Sequence, residues 1–135
     1  MSTEVIVYVL TALAAVVIVL TRLRLGRGDG GAGRLHMGHG LLQVHTIAGA
    51  LALVVWVVFL VAGGDTIGIV ALALWWIVVV AGLLILVRWL PTHGRHASEG
   101  QEDTWSDGPG LSILAHVGML VGVGVFTWAY LFGHV

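Results

Sequence analysis

Long apolar stretches separated by short polar ones dominate the chain. Four stretches each approach the ~20 residues that a helix needs to cross the hydrocarbon core of a bilayer. Backbone groups in lipid must find their hydrogen-bond partners within the segment, so each stretch is predicted to be an α-helix. The predicted helices cover residues 4–24, 39–62, 66–89 and 111–133.

Composition supports this pattern. Hydrophobic residues make up 59% of the 135 residues and charged residues only 10%. Soluble domains are about half apolar and about a quarter charged. Because the connections are short, we predict a single all-α domain over residues 1–135, a polytopic membrane protein folded as a four-transmembrane-helix up-down-up-down bundle.

The arginines predict an orientation in the membrane. All six basic residues are arginine, and they group around the two long connections, 25–38 and 90–110. Basic residues favour cytoplasmic loops, so these connections are predicted to be cytoplasmic and both termini to lie outside. The expected location is a bacterial cytoplasmic membrane, with the lipid bilayer as the first partner.

Several functional classes are excluded or disfavoured. The chain has no cysteine, which excludes disulfides, iron–sulfur clusters and covalently attached c-type haem. A net charge of −1 without a basic stripe argues against nucleic-acid binding. The apolar runs within these helices, residues 5–20, 40–62, 67–87 and 111–132, contain no charged residue, which disfavours a proton-coupled transporter. No catalytic motif is recognised, so the chain is not expected to be an enzyme on its own.

The main candidate site is a pair of intramembrane histidines. His45 and His116 lie in helices two and four, each about 8 Å inside the same membrane boundary. Helices two and four are diagonal partners in an up-down bundle, so the imidazoles are predicted to face each other. Such a pair is suited to holding haem b, with one imidazole on each axial face of the iron. A polar clasp between helices and a non-haem metal or proton role remain as alternatives.

Glycines lie near both histidines. Gly49 follows His45 by one turn, and Gly118 and Gly122 follow His116. Their small size is predicted either to make room for a porphyrin or to allow close helix packing. Met119, one turn after His116, is an alternative axial ligand or a filler of the core.

The bundle with His45 and His116 resembles the membrane-embedded b-type cytochromes, including the cytochrome b561 group. That resemblance implies haem b and electron transfer as a subunit or partner of a quinone-linked redox enzyme. Members commonly carry two histidine pairs, one near each membrane face. Here helices one and three contain no histidine, and only His134 lies near the outer face. The expected cofactor is therefore one haem, exchanging electrons with a quinone or a partner subunit.

A second candidate site lies in the cytoplasmic connections. Two His-x-x-His motifs and two glutamates have spacing that allows imidazole and carboxylate groups to converge on a transition metal. The alternative is that these are solvated loop side chains. The residues are His36, His39, His93, His96, Glu99 and Glu102.

From Ile67 to Val87, helix three has no polar side chains except the indoles of Trp75 and Trp76, and we expect it to face lipid or another subunit. This favours a membrane partner or a homo-oligomer. It also supports a rival function, a non-enzymatic accessory or assembly subunit of a membrane complex, in which the histidines act as structural clasps. A metal-handling membrane protein is the third possibility.

Overall fold

The computed structural model describes residues 2–26, 39–93 and 109–135. These residues form four α-helices, which confirms the predicted all-α class. Each helix contains a stretch that is long and apolar enough to cross a membrane. The helices are α1 (Thr3–Gly26), α2 (His39–Ala62), α3 (Asp65–His93) and α4 (Pro109–Leu131).

A two-residue turn joins α2 to α3. Gly63 and Gly64 have φ angles of 72° and 99°, in the left-handed region that glycine adopts without steric cost. The Gly63 N–H donates to the Phe59 carbonyl over 2.8 Å and so caps the end of α2. With so short a connection, α2 and α3 pack side by side and run in opposite directions.

The four helices pack in a ring that follows chain order. The more extensive contacts join α1 to α2, α2 to α3, α3 to α4 and α4 to α1, so α2 and α4 stand at opposite corners. α1 and α2 run in opposite directions, because later positions in α1 contact earlier positions in α2. Thr11 bonds Trp56, whereas Ile18, later in α1, lies beside Gly49, earlier in α2. Whether the helices cross a membrane up and down in this order stays a prediction.

The third helix is more buried than its sequence suggests. In its most apolar stretch 39% of the residues are buried, compared with 28% in α2. One face of α3 is exposed and apolar, as the expectation of contact with lipid or another subunit requires; it includes Ile69, Ile77 and Leu84. The opposite face is buried in the bundle. Small or apolar residues recur on that face at intervals of three and four, the spacing that brings one helix face against its neighbours. They are Gly68, Ala71, Leu72, Trp75, Val78, Val79, Gly82 and Leu86.

Aromatic side chains fill the half of the bundle near the Gly63–Gly64 turn. The Trp56 ring centre lies 4.6 Å from that of Phe126 and 5.3 Å from that of Phe59. Phe59 in turn contacts Tyr130 at 5.6 Å, and Phe126 contacts Trp75 at 6.1 Å. We call these five residues the aromatic cluster. Their contacts leave this half of the bundle closely packed.

Candidate functional site

The structure brings His45 of α2 and His116 of α4 together across the bundle. Their ring centres are 6.0 Å apart, and the ring planes are inclined by only 13°. Each side chain is partly buried. Because α2 and α4 stand at opposite corners, the two imidazoles meet inside the bundle and not along one helix–helix seam. We call them the histidine pair; whether they act as ligands stays a prediction.

A glycine of the third helix closes one side of the histidine pair. A Cβ atom on Gly82 would lie 2.8 Å from Cε1 of His45 and 2.8 Å from Cδ2 of His116. Real Cβ atoms essentially never approach other atoms so closely, so any larger residue would displace one or both rings. The space between the Gly82 backbone and the two rings is therefore too small for a methyl group.

Sequence reasoning missed Gly82. Helix three offered no polar side chain, and a glycine carries no chemistry that marks it as part of a site. One signal was present: Gly68, Trp75 and Gly82 are separated by seven residues each. Seven residues are close to two helical turns, so the three positions share one face of α3.

The nitrogen atoms around this gap differ in their surroundings. Nδ1 of His45 is buried and has no hydrogen-bond partner among the described residues. It is bonded to Cε1, the carbon that lies against Gly82. Nε2 of His116 would lie 2.9 Å from a Cβ on Gly82 and so also borders the gap. A buried polar atom without a partner costs about 1–3 kcal/mol, which a ligand at this position would offset.

The apolar stretches of α2, α3 and α4 around the histidine pair carry no formal charge. Residues 43–62, 66–87 and 113–131 contain no Asp, Glu, Lys or Arg. Among the residues that the structure describes, no group of three or more His, Cys, Asp or Glu side chains converges. Within these stretches of α2, α3 and α4, the two imidazoles are the ionisable groups near the pair, and no carboxylate is present.

The predicted glycines lie elsewhere in the packing. A Cβ on Gly49 would meet Val78 at 3.7 Å, an ordinary contact. At Gly118 and Gly122 an added Cβ would meet no described atom within 4 Å. Their role in making room for a haem stays a prediction.

Most of the second candidate site falls outside the described part of the chain. His39 begins α2 and His93 ends α3, which places both backbones at the end of the bundle that holds the histidine pair. Their side chains are not described. The remaining candidate ligands lie outside the described residues; they are His36, His96, Glu99 and Glu102.

The opposite half of the bundle contains no second histidine pair within the described ranges. His134, in the last residues of the chain, packs its ring 4.8 Å from that of Trp128. The interior of that half is occupied by the aromatic cluster. The described residues therefore hold one histidine pair inside the bundle, near one of its ends.

The histidine pair is thus defined by three helices. α2 and α4 supply the imidazoles, and α3 supplies the backbone that borders them. Relatives of known function would have offered an independent line of inference. No protein-family model matches this chain, and no curated protein or solved structure matches it.

Proposed function

We propose that this small integral membrane protein binds one metal centre between His45 and His116. The observation that carries the proposal is the near-parallel pair of imidazoles, 6.0 Å apart between ring centres, in an apolar bundle. An ionisable residue in a membrane interior is costly and usually serves a function. Two of them that meet across the bundle point to a shared ligand.

The ring spacing suits a shared metal. A metal–imidazole nitrogen bond is about 2.0 Å long, and the ring centre lies about 1.1 Å beyond the nitrogen. A metal on the line between two imidazoles therefore sets their centres about 6.2 Å apart. The observed separation of 6.0 Å between the stacked rings is close to this value, and a shared metal also requires one nitrogen of each ring to point along the line between the ring centres.

One form of this centre is b-type haem, with electron transfer to a quinone or a partner subunit as the function. The two negative charges of the porphyrin nitrogens balance those of Fe(II), so the iron itself needs no protein carboxylate beside it, and the two haem propionates carry separate charges. However, a porphyrin is far wider than a methyl group, and Gly82 leaves less than a methyl group's space on its side. Haem binding therefore requires α3 to move away from the pair.

The second form is a bare metal ion, with metal handling as the function. The narrow gap beside Gly82 favours this form. A metal ion sits at bonding distance from each nitrogen and needs no room for van der Waals contact with the rings. α3 then stays in the position described.

Spectroscopy and metal analysis of the purified protein test the proposal. The protein is produced with haem and trace metals supplied, and extracted in a mild detergent. We expect either a haem absorption band or about one equivalent of a transition metal, lost in both His45→Ala and His116→Ala. His134→Ala is the matched control, because His134 lies far from the pair. A colourless, metal-free protein would contradict the proposal and favour the accessory-subunit function.

The orientation in the membrane forms part of the proposal. If the arginine-rich connections are cytoplasmic, a Ser2→Cys variant reacts with an impermeant thiol reagent added outside intact cells. A Gly30→Cys variant reacts only after the cells are opened. Labelling of Gly30→Cys from outside intact cells would show that the orientation is the reverse of the proposed one. The metal-centre proposal would be unaffected.

A further inference from the structure

We infer that the cavity at the Gly63–Gly64 end of the bundle binds an organic ammonium ion. The cavity lies beyond the aromatic cluster, at the opposite end from the histidine pair, so the inference does not depend on the metal centre. Its volume is about 520 Å³, within the range of about 300–1,000 Å³ that small-molecule sites have. The lining includes two carboxylates and three aromatic rings, from Glu4, Tyr8, Phe59, Asp65 and Tyr130. We call it the end cavity.

All four helices contribute to the end cavity. Glu4 and Tyr8 are one turn apart near the start of α1, so they share one side of that helix. Asp65 begins α3, while Phe59 and Tyr130 lie in the last turns of α2 and α4. Side chains that are distant in the sequence therefore border one space, and every residue that lines it is described.

Hydrogen bonds hold the walls of the end cavity in place. The Tyr130 hydroxyl donates to the Asp65 carbonyl over 3.2 Å and so ties the end of α4 to the start of α3. Gly133 turns the chain after α4 with a φ of 65°, and the His134 N–H donates to the Ala129 carbonyl over 2.8 Å. The cavity is therefore largely formed before a ligand binds, which keeps the entropic cost of binding low.

The end cavity is acidic. None of the residues that line it is arginine, lysine or histidine. His134, a basic residue at this end of the bundle, packs its ring 4.8 Å from that of Trp128. The carboxylates of Glu4 and Asp65 therefore have no basic side chain beside them in the lining, and a ligand cation would balance their charge. The described parts of the helices carry arginine only near the opposite end, at Arg22, Arg24 and Arg88.

Helix capping accounts for part of this pattern. Glu4 and Asp65 lie in the first turns of α1 and α3, where a negative charge stabilises the partial positive charge of the helix N-terminus. α2 and α4 end at the same end of the bundle with partial negative charges of similar size, so the four helix dipoles cancel and the two carboxylates remain. Capping does not require both carboxylates to line one cavity with three aromatic rings. This combination points to a ligand.

The aromatic rings favour an organic ammonium ion over a metal ion. The face of an aromatic ring attracts a nearby cation, and aromatic cages recognise quaternary ammonium groups. Phe59 and Tyr130 contact each other at 5.6 Å, and Tyr8 is 51% exposed, which leaves ring surface for a ligand to cover. Calcium and magnesium ions require about six or more oxygen ligands, which ring carbons do not supply. Methyl groups on an ammonium nitrogen, by contrast, gain from burial against the rings.

Equilibrium dialysis with radiolabelled choline, a trimethylammonium ion, tests the inference. The full-length protein is delipidated and kept in dodecyl maltoside, an uncharged detergent. We expect one choline per chain. The uncharged alcohol 3,3-dimethylbutan-1-ol has the shape of choline with carbon in place of the charged nitrogen, and it should compete at least about tenfold less well. Equal competition by the alcohol, or no choline binding to the folded protein, would overturn the inference.

Substitutions locate the site. Glu4→Gln and Asp65→Asn should each weaken choline binding about tenfold, since each removes one charge near the ammonium group. Asparagine still caps a helix N-terminus, so Asp65→Asn is expected to fold. Tyr8→Leu should weaken binding about threefold through the loss of one ring face. Thr66→Val is the matched control, because Thr66 adjoins Asp65 but does not line the cavity. Unchanged choline binding in a folded Glu4→Gln/Asp65→Asn double variant would overturn the inference.

Either a free organic cation or the headgroup of phosphatidylethanolamine supplies the ammonium group, and a competition experiment distinguishes the two sources. Dihexanoyl phosphatidylethanolamine displaces choline if the lipid is the source and leaves choline bound if a free cation is. Dihexanoyl phosphatidylglycerol, which has no ammonium group, is the control. Displacement by this control would show that acyl chains fill the cavity and would overturn the inference. His45→Ala should leave choline binding unchanged, which separates this site from the metal centre.

Discussion

The two ends of α3 use the same structural device for different purposes. Near its start, a Cβ on Gly68 would lie 2.5 Å from Tyr130 and 2.9 Å from Phe59. Near its other end, a Cβ on Gly82 would lie 2.8 Å from both members of the histidine pair. In each case a missing side chain lets rings from α2 and α4 pack against the α3 backbone.

What differs is the chemistry of the buried polar atoms at each end. In the aromatic cluster, Trp56 donates to Thr11 over 3.1 Å and Tyr130 donates to the Asp65 carbonyl over 3.2 Å. At the histidine pair, Nδ1 of His45 is buried without a hydrogen-bond partner among the described residues. In the aromatic cluster Nε1 of Trp75 is likewise buried without a partner among the described residues, so an unpartnered polar atom does not by itself mark a site. An indole N–H can only donate, whereas an imidazole nitrogen can also bind a metal, and this is what distinguishes the histidine pair.

The largest expected effect on stability is at Gly68. Gly68→Ala forces its methyl group against two rings of a closely packed core, and overpacking of this kind costs about 1–3 kcal/mol. We expect the free energy of unfolding, measured by titration with SDS in mixed micelles, to fall by about 2–3 kcal/mol. Gly118→Ala is the control, because its methyl group meets no described atom within 4 Å. It should gain up to about 1 kcal/mol from the better helix propensity of alanine.

Gly82→Ala should affect metal binding more than stability, unlike Gly68→Ala. The imidazoles border a gap and not a filled core, so they have room to turn aside, and we expect a stability loss of only about 1 kcal/mol. The metal affinity should fall at least about tenfold, because the displaced rings of His45 and His116 can no longer place a nitrogen each at bonding distance from the same metal. Unchanged metal affinity in Gly82→Ala would show that α3 does not shape the site.

A matched pair of tryptophan variants compares satisfied and unsatisfied indoles. Trp56→Phe removes the hydrogen bond to Thr11 and should cost about 1 kcal/mol beyond the loss of ring area. Trp75 is equally buried, but its Nε1 has no partner among the described residues. Trp75→Phe should therefore cost less than Trp56→Phe by about 1 kcal/mol in the same SDS titration. Equal losses would indicate that Trp75 has a partner that the described residues do not include.

The smallest expected effect is at the outer surface of the bundle. Trp76 donates to Thr127 over 3.0 Å in an exposed setting between α3 and α4. Hydrogen bonds between membrane helices average about 0.6 kcal/mol, so Thr127→Val should lower stability by about that amount. Because this contact is distant from both ends of α3, metal binding should not change. A loss above 2 kcal/mol would indicate that this face is buried by a partner.

The helices were predictable because bilayer thickness dictates the length of an apolar run, and the runs in this chain are clearly separated. The meeting of the two histidines could be predicted for a similar reason. His45 and His116 fall at matched positions in two helices, so depth alone suggested that they meet. The structure places their rings 6.0 Å apart; what they bind stays a prediction.

Packing was less predictable than helix position. The burial of one face of α3 was missed because the helix carries apolar residues on every face. Its hydrophobicity therefore does not reveal which face turns toward the bundle interior. Gly82 was missed for the related reason that its contribution is an absence of atoms. Gly118 and Gly122 attracted attention by their nearness to His116 in sequence, yet an added Cβ at either would meet no described atom within 4 Å.

The seven-residue spacing of Gly68, Trp75 and Gly82 makes α3 sensitive to insertions in a periodic way. One extra residue between Trp75 and Gly82 would rotate Gly82 by about 100° away from the imidazoles while Gly68 kept its place. Seven extra residues would return the glycine to within about 20° of its original direction but carry it about 10 Å further along the axis. The helix thus fixes both the direction in which the two glycines face and their distance along the helix axis. A variant must keep both to retain the same site.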